Sequence, residues 1–135
     1  MGRLMVIVWL LVTVVVVAMG YVRLAPSDPV IWHQVPDEPQ DKDFANGVIR
    51  VVEAGPDGLA ELDAIATATR HTERRFGSLE DGMITYVTRS VVFGFPDYTT
   101  VRQTGDVLEI YGRARFGKSD LGVNGKRLQR WIAQL

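Results

Sequence analysis

Apolar and polar side chains alternate strictly over residues 107–116. One face of this alternation is small or apolar and the other is mostly polar: Leu108, Ile110, Gly112, Ala114 and Phe116 against Val107, Glu109, Tyr111, Arg113 and Arg115. The pattern is typical of a strand with one buried face. Residues 98–102, rich in Thr, Tyr and Val, precede it across a turn at 103–106. A hairpin is therefore predicted, in which Arg102 pairs with Val107.

Three other segments are predicted to be strands. Residues 83–93 are apolar or β-branched almost throughout, which indicates a strand covered on both faces. Residues 48–53 alternate, and residues 72–76 form a shorter segment that ends at a Gly-Ser pair. Together with the hairpin, these segments predict one antiparallel sheet of four or five strands.

Two helices are indicated by apolar residues three and four positions apart. The first begins after Asp57, a favourable cap, and its apolar stripe is Leu59, Leu62, Ile65 and Ala66. The second begins at Asn124, with Lys126, Arg127 and Arg130 on the side opposite its apolar stripe of Leu128, Trp131, Ile132 and Leu135. We expect Trp131 to pack against Gly112 and Ala114, which are small enough to let a helix approach. The predicted fold class is α+β.

The N-terminal residues 4–22 contain no charged side chain. As a helix they would be about 28 Å long, close to the ~30 Å of a bilayer's hydrocarbon core. An uncleaved transmembrane signal anchor at 1–22 is the prediction, and a signal peptide cleaved after Gly20 is the alternative. Arg3 and the terminal amine precede the span, which favours a cytoplasmic N-terminus and an external C-terminal domain.

Residues 23–46 differ in composition from what surrounds them. They hold four of the six prolines, mixed with Asp, Glu and Gln, which indicates a proline-rich extended arm. Within it, Trp32 is expected to dock on the single α+β domain predicted at 47–135, and contact with the membrane interface or with a partner is the alternative.

Two motifs resemble a known family. Residues 93–97 read FGFPD, a hairpin follows that ends in Arg113-x-Arg115, and residues 119–124 read SDLGVN. From about Val48 to the C-terminus the chain resembles the domain-of-unknown-function 1499 family of bacteria and plastids. The resemblance implies a small, membrane-tethered or envelope-facing domain and implies no particular activity.

Charge and composition exclude several classes of protein. The net charge is −1 and the 15 basic residues are dispersed, so a nucleic-acid partner is rejected. The chain has no cysteine, which excludes disulfides, thiol catalysis and cysteine-ligated metals. Neither His33 nor His71 has a second histidine at metal-ligand spacing, and no cofactor or metal is expected.

The candidate ligand-binding residues are Arg89, Asp97, Tyr111, Arg113, Arg115, Asp120 and Asn124. Arg113 and Arg115 share a strand face roughly 7 Å apart, which suits a carboxylate or phosphate group. Alternatively, Asp97 and Asp120 pair with these arginines and hold the loops to the sheet. For Asp120 and Asn124, capping of the last helix is a further prediction, and binding of a cation together with nearby carbonyls is its alternative.

The leading functional hypothesis is a non-catalytic, single-pass protein of the bacterial inner membrane. Its periplasmic domain would bind a protein or a small anionic ligand through the Arg113 and Arg115 face, and no catalytic residue is expected. A hydrolase that uses Asp97 and Asp120 with arginine assistance is the alternative. A third hypothesis is a purely structural subunit of a membrane complex.

Overall fold

The structure, a computed structural model, describes residues 2–91 and 93–135, so the predictions made for Met1 and Val92 lie outside the described residues. The helices are α1 (Gly2–Leu24), α2 (Pro29–Trp32), α3 (Gly58–Ala68) and α4 (Val123–Ile132). The strands are β1 (Lys42–Phe44), β2 (Gly47–Glu53), β3 (Thr72–Ser78), β4 (Met83–Arg89), β5 (Pro96–Thr104) and β6 (Val107–Ala114).

Within the described residues the strands form one six-stranded sheet in the order β1-β2-β6-β5-β4-β3. Every neighbouring pair is antiparallel. The predicted α+β class with an N-terminal apolar helix is confirmed, but six strands replace the predicted four or five. The additional strand is β1, which lies inside the stretch predicted as arm. Three residues are too few to produce an alternation pattern.

The β5–β6 hairpin differs from its prediction by two residues. Thr104 pairs with Val107, whereas the sequence placed Arg102 there. The turn is therefore shorter, and Gly105 occupies it with a φ of 60°, in the region that favours glycine. Because side chains alternate with a period of two, a shift of two residues keeps each side chain on its predicted face. The hydrophobic pattern therefore determines which face of the sheet each side chain occupies, whereas the turn determines which residues pair across the hairpin.

Helices α3 and α4 cover one face of the sheet and form the hydrophobic core with it. Gly112 lies beneath α4, and a β-carbon built on it would meet Leu128 Cδ1 at 2.6 Å. Leu128 and Asn124, and not the predicted Trp131, are thus the side chains nearest to Gly112. Trp131 instead stands edge to face with Tyr86, with ring centroids 6.0 Å apart, and its indole nitrogen donates to Thr69 Oγ1.

The arm, residues 23–46, covers much of the opposite face of the sheet. Ala25 and Val35 of the arm are buried there, and so are Tyr98, Thr100 and Arg113 of the sheet. The β6 strand, predicted to be half-buried, is therefore covered on both sides over its second half. The chain folds back on itself before it reaches β1.

Strand β4 ends at Arg89, four residues before its predicted end. The following loop closes on itself: the Ser90 amide donates to the Phe95 carbonyl, and the Phe95 amide donates to Ser90 Oγ. Gly94 has a φ of 69° within this loop. The loop leaves the side chains of Phe93 and Phe95 exposed.

Helix α1 buries none of its side chains in the protein. Of the helices in residues 2–91 and 93–135, it is the one long and apolar enough to cross a membrane. Its C-terminal end contacts the domain, where the Tyr21 and Phe116 rings meet edge to face with centroids 6.1 Å apart. An apolar helix that could anchor the protein in a membrane is thus continuous with the arm.

Candidate functional site

The seven candidate residues lie in three places. Asp97, Asp120 and Asn124 come together at the start of α4, on the helix-covered face of the sheet. Tyr111, Arg113 and Arg115 lie on the face covered by the arm. Arg89 is at the end of β4, where its Nη1 donates to the Gly94 carbonyl at 3.1 Å.

Arg113 is 4% exposed and binds the arm directly. Its Nη1 donates to Thr100 Oγ1 at 2.9 Å and to the Tyr111 carbonyl at 3.0 Å. Its Nη2 donates to the Trp32 carbonyl. The guanidinium also lies over the rings of Tyr111 and Trp32, 4.3 and 5.5 Å from their centroids. Three of the five N–H donors of Arg113 are thus engaged within the chain.

The charge of Arg113 is balanced by dipoles and aromatic faces. Burial lowers the pKa of Arg113 to about 10, although Tyr111 and Tyr98 act in the opposite direction. The group therefore remains protonated at neutral pH. No carboxylate forms an ion pair with it in the part of the chain that the structure describes. A buried guanidinium of this kind depends on its neutral acceptors, of which the arm supplies one.

A chain of hydroxyl groups extends the arm contact to the neighbouring strands. Thr100 Oγ1 donates to the Trp32 carbonyl at 3.0 Å and accepts from Arg113. The single proton of Thr100 is thereby used, so Thr85 Oγ1 must donate to it across 2.8 Å. Thr85 must then accept from His33 Nδ1 at 2.7 Å. Burial lowers the pKa of His33, so the neutral ring with its proton on Nδ1 fits this network.

Arg115 also contacts the arm, although it is only half-buried. Its Nη1 donates to Tyr98 Oη at 3.1 Å, and its guanidinium lies 5.7 Å from the centroid of the Trp32 ring. Tyr98 in turn shares a hydrogen bond with Ser27 of the arm. Both arginines of the predicted anion site thus face arm residues.

On the other face, a hydrogen-bonded chain joins the two candidate carboxylates. Asp97 Oδ2 accepts from Arg127 Nη2 at 3.2 Å, and Arg127 Nη1 donates to Asn124 Oδ1 at 2.8 Å. Asn124 Nδ2 donates to Asp120 Oδ2 at 2.9 Å. The partner of Asp97 is therefore Arg127 of α4, and the predicted pairing with Arg113 or Arg115 is wrong.

Asp120 stabilises the start of α4. Its carboxylate accepts the backbone amides of Gly122 at 2.9 Å and Asn124 at 3.1 Å. The helix begins one residue before Asn124, so Asn124 is a buried member of its first turn and not the predicted cap. A carboxylate at this position satisfies free amides and complements the helix dipole.

The two carboxyl groups are perturbed in opposite directions. Burial raises the pKa of Asp97, and Arg127 offsets this only in part while the charge of Asp120 adds to it. Burial also acts to raise the pKa of Asp120, but hydrogen bonds from Asn124 and Gly122 outweigh it and lower the pKa. Opposite perturbations in neighbouring carboxyls are what an acid–base pair requires.

A cleft of about 220 Å³ gives access to this cluster, and its walls include Asp97, Asp120, Arg127, Phe95 and Phe116. Arg127 was predicted on the side of α4 opposite the apolar stripe, but it is only 6% exposed. The spacing contains the signal for its burial: positions 124, 127, 128 and 131 form one stripe on a helix, and all four are buried. Classifying residues by polarity alone had therefore placed Arg127 on the wrong side of α4.

A larger groove of about 860 Å³ runs between α4 and the strands β1 and β2. Its floor includes Val48 and Val52. Its rim carries both signs of charge, with Asp41 and Asp43 on one side and Lys126 on the other. Of the seven candidate residues, Asp120 alone lines this groove. The groove was not predicted because β1, which forms one of its walls, was not predicted.

Residues 2–91 and 93–135 contain no group of three or more His, Asp or Glu side chains arranged to hold a metal ion. The polar cluster around Asp97 is built from one ion pair and amide hydrogen bonds. The cluster around Arg113 is cationic, because Arg115 lies over the same Trp32 ring. Neither arrangement offers the several anionic oxygens that a hard cation prefers.

The chain matches the family described as "Protein of unknown function (DUF1499)" over residues 23–135. No curated protein and no solved structure matches it. The matched region is wider than the resemblance seen in the sequence from about Val48 onward, since it includes the arm that packs on the sheet. With most of the chain matched, this protein belongs to the DUF1499 family.

Proposed function

We propose that the protein is a non-catalytic binding module held at a membrane by α1, and that a protein partner binds in the groove between α4 and the β1–β2 edge. The observation that carries the proposal is the groove itself. At about 860 Å³ it is the size of a specific binding site, and it combines an apolar floor with charged walls.

Charge favours a polypeptide over a small anion in this groove. Arg50 is already paired with Asp43 at 2.7 Å, and Asp41 accepts the Val51 amide at 2.8 Å. Lys126 is the remaining cation of the lining. A small anion would meet an excess of carboxylates, whereas a peptide segment can match both signs of charge and cover the apolar floor.

Site-specific photo-crosslinking in cells tests this binding role. A photoreactive side chain at Gln129, which lines the groove, should give an adduct with a discrete protein, and one at the neighbouring exposed Arg130 should not. Gly125→Gln should abolish the adduct, because Gly125 lines the groove and a β-carbon there meets nothing within 4 Å, which leaves room for a larger side chain to occupy the site. Adducts at both positions, at neither, or in the Gly125→Gln background would contradict the proposal.

The proposed location is the bacterial inner membrane, crossed once, with the domain in the periplasm. Arg3 before the span and the apolar length of α1 support it. A single cysteine at exposed Glu80 should react with a membrane-impermeant maleimide in intact spheroplasts. Labelling only after permeabilisation would place the domain on the cytoplasmic side.

Hydrolase chemistry is the second candidate function. It is supported by the opposite pKa perturbations of Asp97 and Asp120 at one cleft, with Arg127 between them. In this arrangement Asp97 would act as the acid and Asp120 as the base, and Arg127 would supply the arginine assistance predicted for other arginines. The cleft is small, so a substrate would insert only one group.

A substrate panel distinguishes the two functions. The purified full chain is assayed with simple ester, phosphate and glycoside substrates, alongside Asp97→Asn and Asp120→Asn. Turnover that both variants lose while they remain folded would establish the hydrolase and overturn the non-catalytic proposal. We expect no turnover above the uncatalysed rate from the wild type, from either variant or from a Lys118→Gln control that leaves the cleft unchanged.

A further inference from the structure

Aromatic side chains are exposed beside the C-terminal end of α1. In the loop that includes residues 90, 91 and 93–95, here called the Phe93 loop, Val91 is 79% exposed, Phe93 51% and Phe95 42%. The Phe93 and Phe95 ring centroids are 5.6 Å apart, and Phe95 lies 6.4 Å from Phe116. Phe116 contacts Tyr21 of α1. These side chains form one contiguous apolar patch. Single exposed apolar residues are common on protein surfaces, but a contiguous patch marks an interaction surface.

The Phe93 loop lies alongside the apolar part of α1 and not beyond its end. Phe93 and Phe95 share a wholly apolar notch with four residues of the helix: Val15, Ala18, Met19 and Val22. Val15 and Val22 are seven positions apart, which is about 10 Å along a helix. If α1 spans a bilayer, the loop reaches past the end of the span toward its interior.

A basic side chain closes the contact at the level where lipid headgroups would lie. A β-carbon built on Gly94 would be 2.9 Å from Arg23 Nε, so the side chain of Arg23 packs against the backbone of the loop at Gly94. Tyr21, Arg23 and the phenylalanines thus follow the usual order at a membrane boundary, with apolar rings inside and a long cationic side chain reaching the headgroups.

We propose that the Phe93 loop, with Phe116, enters the outer part of the lipid bilayer beside α1 and gives the domain a second membrane contact. This inference rests on the proposed membrane span. Its occupant is lipid, because the patch is continuous with the lipid-facing surface of α1. The second contact fixes the orientation of the domain on the membrane, which a single helix and a mobile tether would leave free.

The absence of cysteine allows a clean test with single labels. The full chain is reconstituted in phosphatidylcholine–phosphatidylglycerol vesicles with an environment-sensitive fluorophore on Phe93→Cys. Matched labels are placed on Val12→Cys, in the middle of α1, and on Asp106→Cys, in the exposed β5–β6 turn. Each is tested for quenching by aqueous iodide and by lipids that carry a doxyl group on the acyl chain.

We expect the Phe93 label to behave like the Val12 label, with a blue-shifted emission, loss of iodide quenching and strong quenching by doxyl lipid. The Asp106 label should show the reverse. A Phe93 label quenched by iodide, beside a Val12 label that stays in lipid, overturns this inference and leaves the anchor intact. Shielding from iodide without doxyl quenching overturns it too, because protein and not lipid would then cover the loop. A Val12 label in water overturns the membrane span and this inference with it.

Discussion

The indole of Trp32 stacks on the phenol ring of Tyr98, with ring centroids 4.3 Å apart and planes inclined by 15°. The two residues are 66 positions apart in sequence, and their contact joins the arm to the middle of the sheet. Around the stack, Arg113 and Arg115 bind the same tryptophan from the sheet. The arm is therefore packed against the sheet as part of the folded domain, on the face opposite α3 and α4.

Trp32→Ala should lower the free energy of unfolding by about 3 kcal/mol, because it removes a large packed side chain and exposes the buried arginine. Urea unfolding of the full chain in detergent micelles, followed by circular dichroism, measures this. Trp9→Ala is the matched control, since Trp9 lies on α1 and is 65% exposed. Equal losses in the two variants would argue against docking of the arm.

Arg127→Met should cost about 3 kcal/mol, since it leaves the carboxyl of Asp97 buried without its partner. Lys126→Met, one position away and exposed, should change stability by less than about 0.5 kcal/mol. Adding Asp97→Asn to Arg127→Met should recover part of the loss, because the unpaired charge is then removed. The same unfolding experiment measures all three. A double variant no more stable than Arg127→Met alone would contradict the pairing.

Two glycines near α4 should respond in opposite directions. Gly112→Ala places a methyl group against Leu128 at 2.6 Å and should cost about 1–3 kcal/mol through overpacking. Gly125→Ala meets nothing within 4 Å and replaces glycine inside a helix, so it should stabilise by about 0.5–1 kcal/mol. Thermal unfolding distinguishes the two. A neutral Gly112→Ala would show that α4 does not lie directly on β6.

Acid should destabilise the protein partly through Asp63. Burial acts to raise the pKa of Asp63, but hydrogen bonds from Arg74 and Tyr86 outweigh it and hold the pKa below the usual 3.8. The folded state therefore binds this proton less tightly than the unfolded state does. The stabilisation is present above the usual value and is lost as the pH falls through the lowered one.

Asp63→Asn should therefore narrow the difference in unfolding free energy between about pH 7 and about pH 3. The variant will also be less stable at neutral pH, so the measured quantity is the difference between the two pH values. Asp106→Asn, in the exposed β5–β6 turn, is the control and should keep the wild-type difference. An unchanged difference in Asp63→Asn would contradict the lowered pKa.

The sequence predicted the parts of the fold that depend on periodicity. Alternation over residues 107–116 assigned the side chains of β6 to their observed faces over Val107–Ala114, and the spacing of Leu59 and Leu62 located α3. Strand β1 was missed because three residues carry no period. The two-residue error in the hairpin has the same origin, since a period of two cannot distinguish registers that differ by two.

Three of the seven candidate residues meet in one cluster, but the residue that joins them was not predicted. Asp97 is connected to Asn124 and Asp120 through Arg127, which the polarity pattern had placed opposite the apolar stripe of α4. Arg113 was expected to be open to ligand because its strand face is polar. A contact between residues 81 positions apart, such as Arg113 with Trp32, depends on how the arm folds back, and no local pattern contains that information.

Closure of the Arg113 face by the arm is the central claim, and cysteine accessibility tests it most directly. Thr100 and Thr104 lie on the same face of β5, but Thr100 is buried under the arm and Thr104 is exposed. In the full chain under native conditions, a Thr100→Cys thiol should resist maleimide while a Thr104→Cys thiol reacts at once, and adding Trp32→Ala should release the protection of Thr100→Cys. If Thr100→Cys reacts as fast as Thr104→Cys in the otherwise unchanged protein, the arm does not cover the face, and Arg113 is free to bind a ligand.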